Sequence, residues 1–99
     1  MSNIKEDTKT LEEILAESGI SISSEEEKYL ILWNDDHNSF EWVIVCLVSV
    51  LGFTVEKASE SAHTVHFKGK DIIKSGSKES LMPYKKILEE RGLTVSIED

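Results

Sequence analysis

The first clear pattern along the chain is a continuous apolar run at residues 29–33. Its length, together with its β-branched and aromatic residues, predicts a buried strand that begins near Lys28. Residues 34–36 are Asn-Asp-Asp, residue types that favour turns and disfavour strands. The folded part of the chain is therefore expected to begin at Lys28 with a strand that ends in a polar turn.

Apolar residues recur at helical spacing over residues 40–51 and predict a helix that is largely buried. Asn38 is expected to open this helix, with Glu41 three residues later in an approximate capping box. Gly52 supplies its carboxyl-terminal stop. The single cysteine, Cys46, falls among the aliphatic residues of this helix, and we expect it to be part of the core.

A second helix is predicted over residues 55–67, with Thr54 as its amino-terminal cap and Gly69 just beyond its end. A short strand is predicted at residues 71–75. The inner face of this second helix is assigned to Val55, Ala58, Ala62 and Val65.

A third helix is predicted from a cap at Ser77 to about Glu90, with Gly92 ending it. Pro83 falls inside this helix and is expected to kink it or to delay its start. Residues 93–97 alternate apolar and polar side chains, which predicts a half-buried final strand. The inward-facing positions of the third helix are assigned to Leu81, Tyr84, Ile87 and Leu88.

The order strand, helix, helix, strand, helix, strand predicts a two-layer α+β fold. We expect a three-stranded sheet with three helices on one of its faces. The 99 residues are enough for one domain, and an apolar fraction of 39% is ordinary for a globular domain.

The negative charge of the chain is concentrated near its beginning. The formal net charge is −8, and residues 1–27 contain eight acidic residues against two lysines and no aromatic residue. This composition predicts a flexible acidic arm over residues 1–27, with at most one marginal helix at residues 8–18, before a folded domain at residues 28–99. The arm is either a solvated tail or a tether that a partner grips. Because the net charge of −8 repels other polyanions, we do not expect the chain to bind nucleic acid or an anionic membrane.

The sequence has none of the usual features of a secreted or membrane protein. One cysteine cannot form an internal disulfide, no apolar run is long enough to span a bilayer, and the first residues do not have a signal-peptide pattern. We therefore expect a cytoplasmic protein without a bound cofactor or metal ion. A multi-step enzyme is not expected at this size.

Two polar clusters stand out chemically. Residues 34–38 join a buried strand to a buried helix, although turn formation alone explains Asn and Asp there. His63 and His66 are three positions apart on the second helix and share a face, so they could hold a metal ion together with Asp35 or Asp36. His66 could equally be a surface residue that bonds a carbonyl. The spacing lacks the four-residue step and the glutamate of a zinc-hydrolase helix.

Residues 29–70 resemble the ClpS adaptor family of the Clp protease. The matching features are Asn-Asp-Asp at 34–36, Glu-Trp-Val at 41–43, and Val-His-Phe-Lys-Gly-Lys at 65–70. The second and third features keep the family's spacing from the first, and the resemblance extends over about residues 28–98. The predicted element order is also that of the family, which shares its fold with the C-terminal domain of the ribosomal stalk protein.

The resemblance implies a non-catalytic adaptor. It implies binding of proteins whose free first residue is bulky and hydrophobic (an N-degron), and their delivery to an AAA+ unfoldase, ClpA or ClpC, for degradation by ClpP. By similarity, Asn34, Asp35 and His66 are expected to contact the substrate's α-amino group, and Glu79 and Lys85 to contact the unfoldase. The pocket for the first side chain is expected to be lined by Asn38, Phe40, Val43, Ala62, Val65 and Leu93.

Two alternatives stay open from the sequence. One is an interaction domain of the ribosomal-stalk type, which shares the fold but has no peptide pocket. The other is a small metal-dependent hydrolase that uses Asp35, Asp36, His63 and His66, and it requires these four side chains to converge on one ion.

Overall fold

The computed structural model describes residues 26–99. The predicted helix at residues 8–18 and nearly all of the predicted acidic arm therefore lie outside the described residues. Glu26 and Glu27 are exposed and precede the first strand. The elements follow in the order β1 (Lys28–Trp33), α1 (Phe40–Leu51), α2 (Val55–Lys68), β2 (Lys70–Gly76), α3 (Lys78–Glu90) and β3 (Thr94–Glu98). The predicted α+β class and element order are confirmed.

The sheet has the strand order β2-β1-β3, and both neighbours run antiparallel to the central strand β1. At the carboxyl end of β1, Trp33 pairs with Lys70 at the start of β2 and with Thr94 at the start of β3. The loop after β1 therefore lies beside the end of α2 and beside the turn between α3 and β3.

The core lies between one face of the sheet and the three helices. Leu30 and Leu32 of β1 are at most 1% exposed and pack into this core, together with the fully buried Leu47 of α1, Ala58 of α2, and Leu81 and Leu88 of α3. Cys46 is fully buried in the same core, as predicted. Burial raises the pKa of the Cys46 thiol, although Arg91 acts in the opposite direction.

The cap of α1 differs by one residue from the prediction. Ser39 is the N-cap, and its Oγ accepts a hydrogen bond from the Trp42 amide at 3.0 Å, so the helix begins at Phe40. Asn38 does not cap the helix because its side-chain amide donates elsewhere, to Asp35 and to the Gly92 carbonyl.

Several residues that were assigned to helix interiors are exposed. The prediction of a largely buried α1 is wrong, because only Cys46 and Leu47 are buried and Val45 is 48% exposed. Val55 lies in the first turn of α2 and is 61% exposed, and Ile87 of α3 is 38% exposed. Each helix covers the sheet or its neighbour with one face only, so apolar residues on the other faces meet solvent. The third helix begins at Lys78, so Pro83 does not delay its start.

Candidate ligand-binding site

A cavity of about 450 Å³ opens where β1 ends, within the size range of small-ligand pockets. It lies between the loop after β1, the first turns of α1, the last turns of α2 and the residue that precedes β3. All nine residues that the resemblance assigned to the amine and side-chain sites line this pocket: Asn34, Asp35, Asn38, Phe40, Val43, Ala62, Val65, His66 and Leu93. The remaining lining residues are Leu32, Trp33, Asp36 and Ser39.

Asn34 and His66 line the same pocket because a backbone hydrogen bond joins their elements. The Asn34 amide donates to the Gly69 carbonyl at 2.9 Å, which ties the start of the loop to the end of α2. Gly69 has a φ of 91°, a left-handed conformation that suits glycine, and it ends the helix one turn after His66. Both side chains are exposed and line the pocket, although they are far apart in the sequence.

Asp35 is the most heavily hydrogen-bonded side chain of the site. One oxygen accepts from the His37 and Asn38 amides at 3.2 and 3.0 Å and from the Asn38 side-chain amide at 3.1 Å. The other accepts from the Asn38 side chain and from the Thr94 hydroxyl, both at 2.9 Å. Burial alone would raise the pKa of Asp35, but these hydrogen bonds outweigh it, and the pKa lies below its ordinary value. The carboxylate is therefore ionised at neutral pH.

The turn between α3 and β3 is held against the site by side-chain bonds to its carbonyls. Asn38 donates to the Gly92 carbonyl at 2.8 Å, and the Trp42 indole donates to the Arg91 carbonyl at 2.9 Å. These bonds fix Leu93 at the bottom of the pocket. Asn38 thus lines the pocket while its amide braces the surrounding loops, and Thr94, which the sequence did not single out, takes part in the same network.

The opposite side of the pocket is apolar. Leu32, Ala62, Val65 and Leu93 are each 5% exposed or less and form its floor. Val43 is half-buried in the wall, and Phe40 stands at the mouth with 43% of its surface exposed. The site therefore offers acceptors at its rim and an apolar recess beneath them.

The four side chains of the metal-hydrolase alternative do not converge. Asp35, Asp36 and His66 line the pocket, but His63 lies outside it and packs its ring on Phe67, with the centroids 4.5 Å apart. Within residues 26–99, no group of three or more His, Cys, Asp or Glu side chains could hold a metal ion. The geometry therefore does not support this alternative.

The two residues assigned to the unfoldase interface both lie on α3. Glu79 is exposed in the first turn, whereas Lys85 is half-buried and pairs with Glu89 at 3.0 Å. Six residues along a helix correspond to a rotation of about 240°, so the two side chains face different directions. Lys86, seven residues from Glu79, is exposed on nearly the same face.

None of the helices within residues 26–99 is both long and apolar enough to cross a membrane.

The fold and the pocket define a small α+β domain with a cavity of the size that small ligands occupy. The family model for the "ATP-dependent Clp protease adaptor protein ClpS" matches residues 23–96, three quarters of the chain. The chain belongs to the ClpS family of Clp protease adaptors and is not an enzyme.

Relatives and a solved structure agree with this assignment. The chain is 33% identical over 79 residues to the ClpS adapter protein of Corynebacterium glutamicum, covering 79% of both chains. It is 37% identical over 68 residues to that of Synechocystis, covering 68% of this chain and 69% of the other. The structure of Agrobacterium tumefaciens ClpS2 bound to L-phenylalaninamide matches with a TM-score of 0.64 at 20% identity, covering 74% of this chain and 95% of that one, and shows that the fold is shared.

Proposed function

We propose that this chain binds the free first residue of proteins that begin with a bulky hydrophobic side chain, and delivers these proteins to a Clp unfoldase. The observation that carries the proposal is the pocket itself, which joins exposed polar acceptors at its rim to a buried apolar floor. An N-terminal Phe, Tyr, Trp or Leu presents the matching pair of groups, an ammonium next to an apolar side chain. The ligand named for the Agrobacterium structure, L-phenylalaninamide, has the same two groups.

The ammonium group is recognised by the rim. It has three N–H donors and a positive charge, and the Asn34 amide oxygen and a neutral His66 imidazole nitrogen are acceptors for it. The carboxylate of Asp35 has about four lone-pair sites, and five contacts already use them. We therefore infer that Asn34 and His66 make the direct bonds, while Asp35 acts mainly through its negative charge and by holding the loop in place.

The apolar floor binds the first side chain. Burying one Leu or Phe side chain contributes roughly 1.5–3 kcal/mol, and each charge-assisted hydrogen bond contributes roughly as much. Micromolar affinity needs about 8 kcal/mol, so neither half of the pocket is sufficient alone. Val43 in the wall is β-branched and stiff, and we infer that it crowds the extra methyl group of a β-branched first residue such as Ile or Val.

A paired titration tests the proposal. A labelled peptide that begins with Phe and continues with alanines should bind in fluorescence anisotropy. Its acetylated form should bind at least tenfold more weakly, because acetylation removes the charge and two of the three donors. Equal affinity of the two forms rules the proposal out.

Two histidines on the same helix provide a matched pair of variants. His66→Ala should weaken binding of the alanine-containing peptide severalfold, because the rim loses one acceptor. His63→Ala is the control and should leave this affinity unchanged, since His63 lies outside the pocket. The reverse result contradicts the assignment of His66.

The partner-facing surface is proposed on α3. We infer that Glu79, Met82 and Lys86, which we name the α3 stripe, dock on the unfoldase. All three are exposed, and their spacing of three and four residues places them along one side of the helix. This replaces Lys85 by Lys86 as the basic contact.

A further inference from the structure

A second depression lies directly beside the pocket. It is bounded by Phe40 at the start of α1 and by the outer side of α2, including Val55, Glu56, Glu60 and His63. We name it the side groove. The ring of Phe40 lines both the side groove and the pocket, so the two are separated by a single side chain.

The side groove combines exposed apolar surface with two carboxylates. Phe40 and Val55 are 43% and 61% exposed. Glu56 and Glu60 are four residues apart and therefore share one side of α2. Neither carboxylate forms an ion pair with any residue in the range 26–99, and the lining contains no lysine or arginine. Such a surface suits a side chain with an aliphatic stem and a cationic head.

We propose that the side groove is a subsite for a lysine or arginine at the second or third position of the peptide whose first residue fills the pocket. This inference rests on the proposed function. An extended chain advances about 3.3–3.6 Å per residue, so these positions lie within a few ångströms of the pocket mouth at Phe40. Successive side chains of an extended peptide point to opposite sides, so one of the two positions faces α2. The stem packs on Phe40 and Val55, and the cation lies near Glu56 and Glu60.

The experiment compares three peptides that begin with Phe and carry Lys-Lys, Ala-Ala or Glu-Glu at positions two and three. Anisotropy titrations of the full chain at low salt should give the order lysine, alanine, glutamate, with about three- to tenfold between the extremes. The difference should shrink at 0.3 M salt because these charges are exposed.

The variant Glu56→Gln/Glu60→Gln should bind the three peptides with nearly equal affinity. Glu26→Gln/Glu27→Gln is the matched control, since both residues are exposed and precede β1 at the end of the sheet opposite the pocket. It should keep the wild-type discrimination.

The outcomes separate the two proposals. Equal binding of the three free-amine peptides by the wild type overturns the subsite, as does unchanged discrimination in Glu56→Gln/Glu60→Gln. Loss of discrimination in the control variant overturns it as well, because the effect is then one of net charge. In each of these cases the proposed function stands if the acetylated peptides still bind weakly, and it fails only if they bind as well as the free-amine forms.

Discussion

Among single residues, Asp35 connects the chemistry of the pocket to the stability of the domain. Its carboxylate organises the loop after β1 and reaches Thr94 at the start of β3. Hydrogen bonds to a charged group contribute about 1.5–3 kcal/mol each. Replacing Asp35 by alanine therefore removes structural bonds as well as charge, so we expect a loss of stability together with any loss of binding.

The lowered pKa of Asp35 makes a prediction about pH. A carboxyl group whose pKa is lower in the folded than in the unfolded chain stabilises the fold above the unfolded pKa, about 3.9. This contribution is lost as the pH falls through the folded pKa. Urea midpoints should therefore decrease below about pH 4 in the wild type, and Asp35→Asn should be less stable at pH 7 and less sensitive to acid.

The neighbouring Asp36 is the control for this prediction. It is exposed and belongs to the same loop, so Asp36→Asn should reproduce the wild-type pH profile. Parallel profiles for the wild type and Asp35→Asn contradict the role given to the Asp35 hydrogen bonds.

The residues that line the pocket were expected from the sequence, but the hydrogen bonds that hold the surrounding loops together were not. The nine assigned residues come from three distant segments, and the resemblance supplied them because the family's motifs carry residue identities. Their roles stay predictions. Thr94 and the carbonyls of Arg91 and Gly92 were missed because a hydroxyl in a strand and a backbone carbonyl have no sequence signature. Their contribution depends on contacts with residues 49 to 59 positions away.

At the scale of elements, the start of α1 positions one wall of the pocket. Ser39 caps the helix, and Phe40 is its first residue. Phe40 lines both the pocket and the side groove. Fraying of this turn displaces Phe40, so weaker capping of the helix changes the shape of both.

We predict that Ser39→Ala lowers stability by about 1 kcal/mol, because the Trp42 amide loses its acceptor. For a domain of this size, that corresponds to a decrease in melting temperature of roughly 4–8 °C. Peptide affinity should fall as well, measured in the same titration as above. Ser75→Ala, in the exposed part of β2, is the control and should change stability by less than about 0.5 kcal/mol. A loss in Ser75→Ala as large as that in Ser39→Ala argues against the cap.

Element order was predictable because each strand and helix has a strong periodicity or a clear stop signal. The cap of α1 was misassigned because Asn38 and Ser39 are both good capping residues. The choice between them depends on Asp35 and Gly92, which occupy the Asn38 amide. The exposure of Val45, Val55 and Ile87 was missed for a similar reason, since helical spacing does not reveal how wide the covered face is.

For the whole molecule, the pocket and the start of the α3 stripe lie at opposite ends of the sheet. The pocket opens at the Trp33 end of β1, whereas Glu79 follows Gly76, which pairs with Lys28 at the other end. Six strand residues span about 20 Å. The proposed peptide site and the start of the proposed docking surface therefore lie at different ends of the sheet, and we expect one adaptor to bind a substrate and an unfoldase at once.

The proposed α3 stripe contains Lys86 but not Lys85. It therefore predicts that binding to the unfoldase depends on Lys86 and not on Lys85. Lys86→Ala should weaken the complex with the unfoldase N-terminal domain severalfold in surface-based binding measurements, without changing peptide affinity. Lys85→Ala should have little effect, because its charge is already paired with Glu89. A larger loss in Lys85→Ala than in Lys86→Ala returns the basic contact to Lys85.

The pocket is assembled from the first, middle and last parts of the folded domain, at residues 32–43, 62–66 and 93. No fragment that lacks one of these parts contains the complete pocket, so we expect only the native chain to bind the proposed peptide tightly. Ligand saturation and global unfolding are consequently linked equilibria. A peptide at one hundred times its dissociation constant adds about 2.7 kcal/mol to the free energy of unfolding. A loaded adaptor should therefore exchange its core amide hydrogens about a hundred times more slowly than an empty one.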